Sequence, residues 1–430
     1  MKREFDRNLA LLLGGQFISQ LGDKFYALAL SWWVLQTTGS PAKMGLTLFA
    51  SMAPSVVLGF FTGGFIDRFD RKGILVCTDI VRGLAIMAVL AVYLTGHLNL
   101  AMIITVQVLL SAASAFFNPA VLAAMPQIVE KEKLVKANGT SQLLSGIANI
   151  AGPVLGGMAV SKLGYGFIFV FNGLSFFASA LCEWLLRLPP RGESNGIKTT
   201  MAETLRQGYA YILTHKRLMA LLAVVAMVHF FVGSVQVVMP VLANSLAGDG
   251  ARNLGYIESA FGFGIVAAAL LIRARKPKGS REVWMFGGLV ALGVMQLASG
   301  LLAGLGVQPV FPYLAVFFLL SASVIVISTN YTVILQQTID NNMAGRVFGI
   351  VGSVGNLTLP VAVLVFGYVL TGESLGIVTI ACGAGVLAVC GLVAVAYKNP
   401  PCRLRATSPL EFLPSAKTRA GKEGTGQKQG

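Results

Sequence analysis

One carboxylate stands inside a long apolar stretch of this chain. Asp23 falls near the middle of the run from Leu9 to Gln36, preceded at helical spacing by Gln16, Ser19 and Gln20. On one helix these four side chains make a polar stripe, whereas Lys24 projects about 100 degrees away. An ionised carboxylate at a bilayer centre costs about 2.5–3.5 kcal/mol on insertion scales, so Asp23 needs a partner or a wet cavity. In a wet cavity it can exchange a proton while a cargo comes and goes. With a partner it is a hydrogen-bonded link between helices, and the residues alone leave both readings open.

Three other runs carry comparable stripes: Gln107, Ser111, Ser114 and Asn118; then His229, Gly233 and Gln236; then Ser321, Ser328 and Thr332. Facing inward, they would line a substrate cavity together with Gln16, Ser19, Gln20 and Tyr26, although serine stripes also serve close helix packing. His229 is either a second proton carrier beside Asp23 or a core histidine whose hydrogen bonds are met. Phe25, Tyr26, Trp32, Trp33, Phe230 and Phe231 suit a large lipophilic ligand, and equally the membrane interface.

A second set of charges lies where apolar runs meet, at Gly63 to Lys72. Asp67 can accept hydrogen bonds from a helix N-terminus near Gly345 and Arg346, while Arg68 and Arg71 pair with acids across the bundle. With Gly63 these residues read as a cytoplasmic gate; the plain alternative is solvated orientation signals. Asp79 and Arg82, three residues apart, satisfy each other or join that network. Asn149, Gly152, Pro153, Gly156 and Gly157 form a different kind of cluster, without reactive groups. Its glycines admit a neighbouring helix and its proline bends the span.

Only membrane-spanning helices can hold such side chains in an apolar medium, and the composition agrees. Charged residues are 12% of the 430, against roughly a quarter in soluble domains. Apolar residues make up 55%, there are 49 glycines, and the mean hydropathy is +0.74. A soluble globule, a disordered chain and a disulfide-stapled module are excluded. The net charge of +15 would suit nucleic acid if it formed one stripe, but the basic residues lie between apolar runs. Cys77, Cys182, Cys382, Cys390 and Cys402 show neither CxxC nor Cys/His spacing, so neither a disulfide nor a metal site is expected.

Cutting the sequence where charges and turn residues interrupt runs of about 20 apolar residues yields twelve spans. If both termini are cytoplasmic, the loops on the other side hold only Lys43, Lys162 and Arg252, as the positive-inside rule requires. The expected organisation is a six-helix bundle at 1–188, a linker with a short interfacial helix at 189–216, a second bundle at 217–398 and a disordered basic tail at 399–430. One offset of 207 residues superimposes Asn149 on Asn356, Pro153 on Pro360 and Ala137 on Ala344, which favours duplication. The fold class is therefore all-α and integral to the membrane, with two pseudo-symmetric six-helix bundles and substrate held near the midplane.

These residues resemble the major facilitator superfamily. Gly63-Gly64-Phe65-Ile66-Asp67-Arg68-Phe69-Asp70-Arg71-Lys72 is similar to its G-x-x-x-D-R-x-G-R-R/K loop signature, with Asp70 at the second glycine. Ala148 to Gly157 resembles the G-x-x-x-G-P-x-x-G-G signature of its proton-coupled exporters, with Ala148 at the first glycine. Gln16 to Asp23, Asn118-Pro119-Ala120, Ala137-Asn138-Gly139 and Gly345-Arg346-Val347 look like the branch containing macrolide-efflux proteins and the enterobactin exporter. The resemblance implies that spans 1, 4, 7 and 10 line the cavity and that the span-5 segment seals the midplane against proton leak. It implies a monomeric, proton-coupled exporter of a small lipophilic molecule such as a drug, macrolide or siderophore, in a bacterial plasma or inner membrane. The expected partners are that small molecule, protons and membrane lipid, with no nucleic acid and no cofactor. An uptake symporter and a membrane sensor on the same scaffold are the rival readings. The absence of GxxxxGK[ST] and HExxH argues against an ATP-driven pump and a metalloprotease.

Overall fold

The computed structural model describes residues 2–66, 70–130, 133–187, 201–274, 280–339, 344–371 and 373–398. Asp67, Arg68, residues 189–200 of the expected linker and the whole expected tail lie outside them. The described residues are helical throughout apart from turns, as twelve labelled elements: α1 (Lys2–Thr38), α2 (Pro41–Ile66), α3 (Arg71–Leu94), α4 (Leu100–Ile128), α5 (Leu134–Trp184), α6 (Met201–Thr214), α7 (Lys216–Ser245), α8 (Gly250–Ala274), α9 (Arg281–Gly304), α10 (Phe311–Thr338), α11 (Ala344–Val369) and α12 (Leu375–Lys398). α5 is two limbs joined at Gly164, whose φ of 76° is open to glycine and strained for other residues.

Ten segments are long and apolar enough to cross a bilayer among the described residues. α1 is not among them, because it carries the polar residues that the sequence singles out, and the span counted on α5 runs from Leu155 to Trp184. α6 occupies the stretch where a short interfacial helix is expected, and α7 begins two residues after it.

Side-chain caps start three helices. Asp70 accepts from the Gly73 amide at 2.9 Å, Asn99 from Met102 at 3.0 Å and Ser280 from Val283 at 3.3 Å. Asp70 thus has a use where the family pattern has glycine: its backbone is extended, at φ −66° and ψ 122°, and needs no left-handed turn.

The packing repeats across the two halves. In the first half α1 lies on α5, α3 on α4 and α5, and α2 on α4; in the second α7 lies on α11 and α12, α9 on α10 and α12, and α8 on α10. The halves meet through two matched pairs, α5 with α8 and α2 with α11. Both meetings use glycine. A Cβ on Gly157 would lie 2.9 Å from Ala251 O and 3.0 Å from Gly255 Cα, and one on Gly45 would lie 2.6 Å from Val363 O and 2.8 Å from Gly367 Cα. These crossings sit at the end of the bundle that carries the α1–α2 and α7–α8 connections, called the distal end below.

Further contacts reinforce the distal closure. Gln36 Nε2 donates to Asn244 Oδ1 at 2.7 Å, the Ser161 hydroxyl donates to Asp249, and the Trp32 ring covers Gly250. Burial alone would push the Asp249 carboxyl up, but Ser161 and the amides of Arg252 and Ala251 hold it below its ordinary value. A carboxylate depressed in the folded state stabilises at neutral pH and loses that contribution as pH falls through its folded value. Acidification should therefore loosen the distal contact in the wild type and leave Asp249→Asn unresponsive, as read by the accessibility of a cysteine placed at the buried Ala251.

The glycine crossings give a sharper prediction. Gly157→Leu forces backbone apart and should lower stability by about 1–3 kcal/mol, as overpacking does. Gly287→Ala, with nothing within 4 Å of its Cβ position, should gain up to about 1 kcal/mol. Melting temperatures in detergent check both signs.

Candidate functional site

A cavity runs through the middle of the bundle in two joined chambers. The smaller, about 210 Å³, lies between α1, α2 and α4 and includes Asp23, Tyr26, Gln107, Ser111 and Ser114 in its wall. The larger, about 430 Å³, lies between α1, α2, α5, α7 and α8 and includes Asn149, Pro153, Gln236 and Glu258. Lys24, Ala27, Ser31, Leu48 and Ser51 line both. A volume of this order matches small-molecule sites.

Asp23 and Lys24 lie deep in the bundle, yet both are exposed, because their surface opens into the cavity rather than to the outside. The sequence separates them by helical angle. The structure rejoins them because cavity borders α1 on both faces. Asn172 of α5 faces Asp23, and Gly22 allows that approach: a Cβ there would meet Asn172 Oδ1 at 2.7 Å.

Not every expected lining residue is in these walls. Gln16 accepts from Ser141 Oγ at 3.4 Å, so it meets α5, and the buried Ser19 donates to Gln16 O at 3.2 Å. Neither these two nor Gln20 lines either chamber. Asn118, Ser328 and Thr332 are exposed outside them, with the last two bonded back along α10 to Ile325 O and Ser328 O. His229 lies within hydrogen-bonding distance of Val225 O, Nδ1 to O 2.9 Å, and its ring fills the space over Gly355 of α11. Ser111 does more than line the wall: its Oγ accepts the Ser55 amide at 3.0 Å, next to Pro54, where the ring disturbs the helical ladder of α2.

The glycine cluster of α5 has a definite task. A Cβ on Gly152 would lie 2.3 Å from Lys24 Cβ, one on Gly156 would lie 3.2 Å from Phe25 Cα, and Gly157 meets α8. Three glycines thus bring α5 against α1 on one side and α8 on the other. Asn149 and Pro153, on the same helix, face the larger chamber.

The gate residues divide. Gly63 lies in α2 and Arg346 in the first turn of α11, while Asp67 and Arg68 fall outside the described residues. Arg71 donates from Nη1 to Ala123 O at 3.0 Å, which ties α3 to the end of α4. Asp79 and Arg82 form an ion pair at 3.1 Å with side-chain exposures of 0% and 5%, so they belong to the core of the first half. The Arg82 guanidinium also lies 4.5 Å from the Phe117 ring centre.

Two acids escaped the sequence reading. Glu183, fully buried near the end of α5, accepts from Ser179 Oγ at 3.4 Å and lies within electrostatic reach of Asp79 and Arg82. Glu258 is the single acid of α8's apolar middle and lines the larger chamber. The rule that flags Asp23, an acid inside a span, applies to both. Among the described residues no three His, Cys, Asp or Glu are grouped as metal ligands.

The model of the Major Facilitator Superfamily matches residues 12–363. The chain belongs to that superfamily. Its members are membrane transporters, so the chain is a multi-pass membrane transporter rather than an enzyme. It is 24% identical over 353 residues to Macrolide efflux protein A of Streptococcus pyogenes, covering 81% of this chain and 86% of that protein. It is 26% identical over 416 residues to Multidrug efflux pump Tap of Mycobacterium bovis, covering 94% and 95%. Among solved structures it is similar to nucleoside transporter NupG, with TM-score 0.73 at 10% identity over 91% of this chain and 99% of that one. A bacterial homologue of the iron transporter ferroportin in its inward-facing state gives 0.68 at 15% identity, covering 90% and 98%. At those identities the two structures speak for the fold alone.

The buried triad yields a prediction. Arg82→Met strands two buried carboxylates, and breaking such a pair costs about 3–5 kcal/mol. Arg82→Met together with Asp79→Asn should recover part of that loss, as read from melting temperatures of the purified variants.

Proposed function

We propose that the chain is a proton-coupled exporter of a small, lipophilic molecule, with twelve crossings in two six-helix halves and both termini in the cytoplasm. One observation carries the reading: Asp23 lies deep in the bundle and yet opens into the central cavity. A carboxyl placed there can take a proton from one side and yield it to the other as the halves rock. Support for outward transport comes from the relatives named as macrolide and multidrug efflux proteins. The α5 glycine cluster also resembles the exporter signature.

In this reading the distal closure is the external gate, shut while the cavity faces the cytoplasm. The cavity wall, with polar side chains from α1, α2, α4, α5, α7 and α8 among apolar ones, holds the cargo. Asp23 and the cargo exclude each other, so downhill proton entry drives the cargo out. Asp67, Arg68 and Arg346 serve as the internal gate, with His229 in the core of the second half. The membrane is a bacterial plasma or inner membrane, and the working unit is a monomer.

Reconstitution tests this directly. In liposomes with an imposed pH gradient, the wild type should concentrate a macrolide or a lipophilic dye against its gradient and dissipate the pH difference as it does so. Asp23→Asn should abolish both while leaving downhill exchange of the cargo. Undiminished pH-driven transport by Asp23→Asn removes the carboxyl from the role.

A further inference from the structure

The helix α6 has two faces, and the protein covers only one of them. Ile212, 1% exposed, and the partly buried Tyr211 pack into the core, where α6 lies on α7 and α11. Arg206, Tyr209, Ala210 and Leu213, at i, i+3, i+4 and i+7, share the other face. All four are exposed, Leu213 to 65%. A helix standing in water presents polar side chains on its free face; this one presents an aliphatic and an aromatic side chain with a single arginine.

The chain itself sets the level of that face. The run of α7 that can cross a bilayer begins at Leu218, four residues after Thr214 closes α6, and four residues are about 6 Å of helix. The interfacial layer on each side of the hydrocarbon is about 5–7 Å deep, so the last turn of α6 stands at headgroup level. Its roll is fixed as well. Thr214 Oγ1 donates to Tyr211 O at 2.9 Å, His215 Nδ1 lies 2.7 Å from the same oxygen, and the centres of the His215 and Tyr211 rings are 4.2 Å apart. With Tyr211 and Ile212 held to the core, Tyr209 and Leu213 stay turned outward.

We infer that the outer face of α6 is seated in the lipid interface and takes an anionic phospholipid, Tyr209 and Leu213 entering the acyl boundary while Arg206 holds the headgroup. Leucine and tyrosine beside arginine is the side-chain set of helices that lie in the interface plane. The charge suits an acidic headgroup: from Met201 to Arg217 the sequence holds Arg206, Lys216 and Arg217 against Glu203 alone. A zwitterionic headgroup offers these cations no net partner. Since α6 lies on α11, whose first turn holds Arg346, the lipid borders the helix that carries part of the proposed internal gate.

A photo-crosslinker reads the neighbour of this face directly. The full chain with Ala210→benzoylphenylalanine is reconstituted in vesicles of equal parts phosphatidylcholine and phosphatidylglycerol, irradiated, and its adducts are identified by mass. Leu392→benzoylphenylalanine, at a position of α12 that is 70% exposed, is the reference for plain bilayer contact. Lipid adducts at position 210 should be enriched in phosphatidylglycerol at least about fivefold relative to position 392, the size that one basic side chain contributes at an anionic surface. Arg206→Gln should lower that enrichment about fivefold. Tyr209→Ser with Leu213→Ser should cut the total lipid yield at 210 severalfold and leave that at 392 unchanged.

No lipid adduct at 210 while 392 reacts, the same lipid ratio at both positions, or an enrichment that survives Arg206→Gln overturns the inference. So does a total yield that the double serine variant leaves unchanged. If that variant is not recovered folded, the wild-type ratio and the Arg206→Gln response decide. The assay needs neither flux nor a pH gradient, so its outcome is independent of the exporter reading.

Discussion

The contact of α5 with α1 and α8 sets the geometry of everything else. Helix axes normally stand about 8–10 Å apart, a distance dictated by the side chains between them. At Gly152, Gly156 and Gly157 there are none, so α5 presses its backbone against Lys24 and Phe25 on one face and Ala251 and Gly255 on the other. A membrane offers no hydrophobic reward for burying apolar helices against each other, so close van der Waals fit between small residues is the main cohesive force. One glycine run thereby decides where the two halves touch and which charges share a cavity.

The same force works twice. Gly45 against Gly367 repeats at α2 and α11 what Gly157 against Gly255 does at α5 and α8. The internal repeat explains the pairing: α2 corresponds to α8, and the first limb of α5 to α11. Two equivalent contacts at one end let that end close as a unit. Between them lies the larger chamber, so the contacts that close the distal end also define the cavity's walls.

Charge is handled in two different ways inside this bundle. The Asp79, Arg82 and Glu183 group is sealed, with the guanidinium set against Phe117 and Phe176, and its role is cohesion within the first half. Asp23, Lys24 and Glu258 line the cavity, and no ion pair joins them among the described residues. The contrast follows from location: buried ions must find partners in the protein, whereas ions on a cavity wall can wait for a proton or a cargo.

Much of this was legible in the residues. Periodic apolar runs, the separation of basic loops and the offset repeat of Asn149 and Pro153 specify a helical membrane protein of two similar halves, because chain length and hydrophobicity are local properties that lipid reads directly. Asp23 was legible for the same reason, since a carboxyl among apolar residues is anomalous in any fold. Glu258 and Glu183 were equally anomalous: Glu183 closes a polar stripe of Asn172, Ser175 and Ser179, whereas Glu258 stands without one. Facing was decided only by tertiary packing. Helical angle sends Lys24 away from Asp23, and only a cavity that wraps both sides of α1 reunites them; Gln16 shares the Asp23 stripe but meets α5, and Ser19 is buried against its own helix. Periodicity tells which residues share a face of a helix, and the neighbours that the glycines admit determine whether that face meets protein, lipid or cavity.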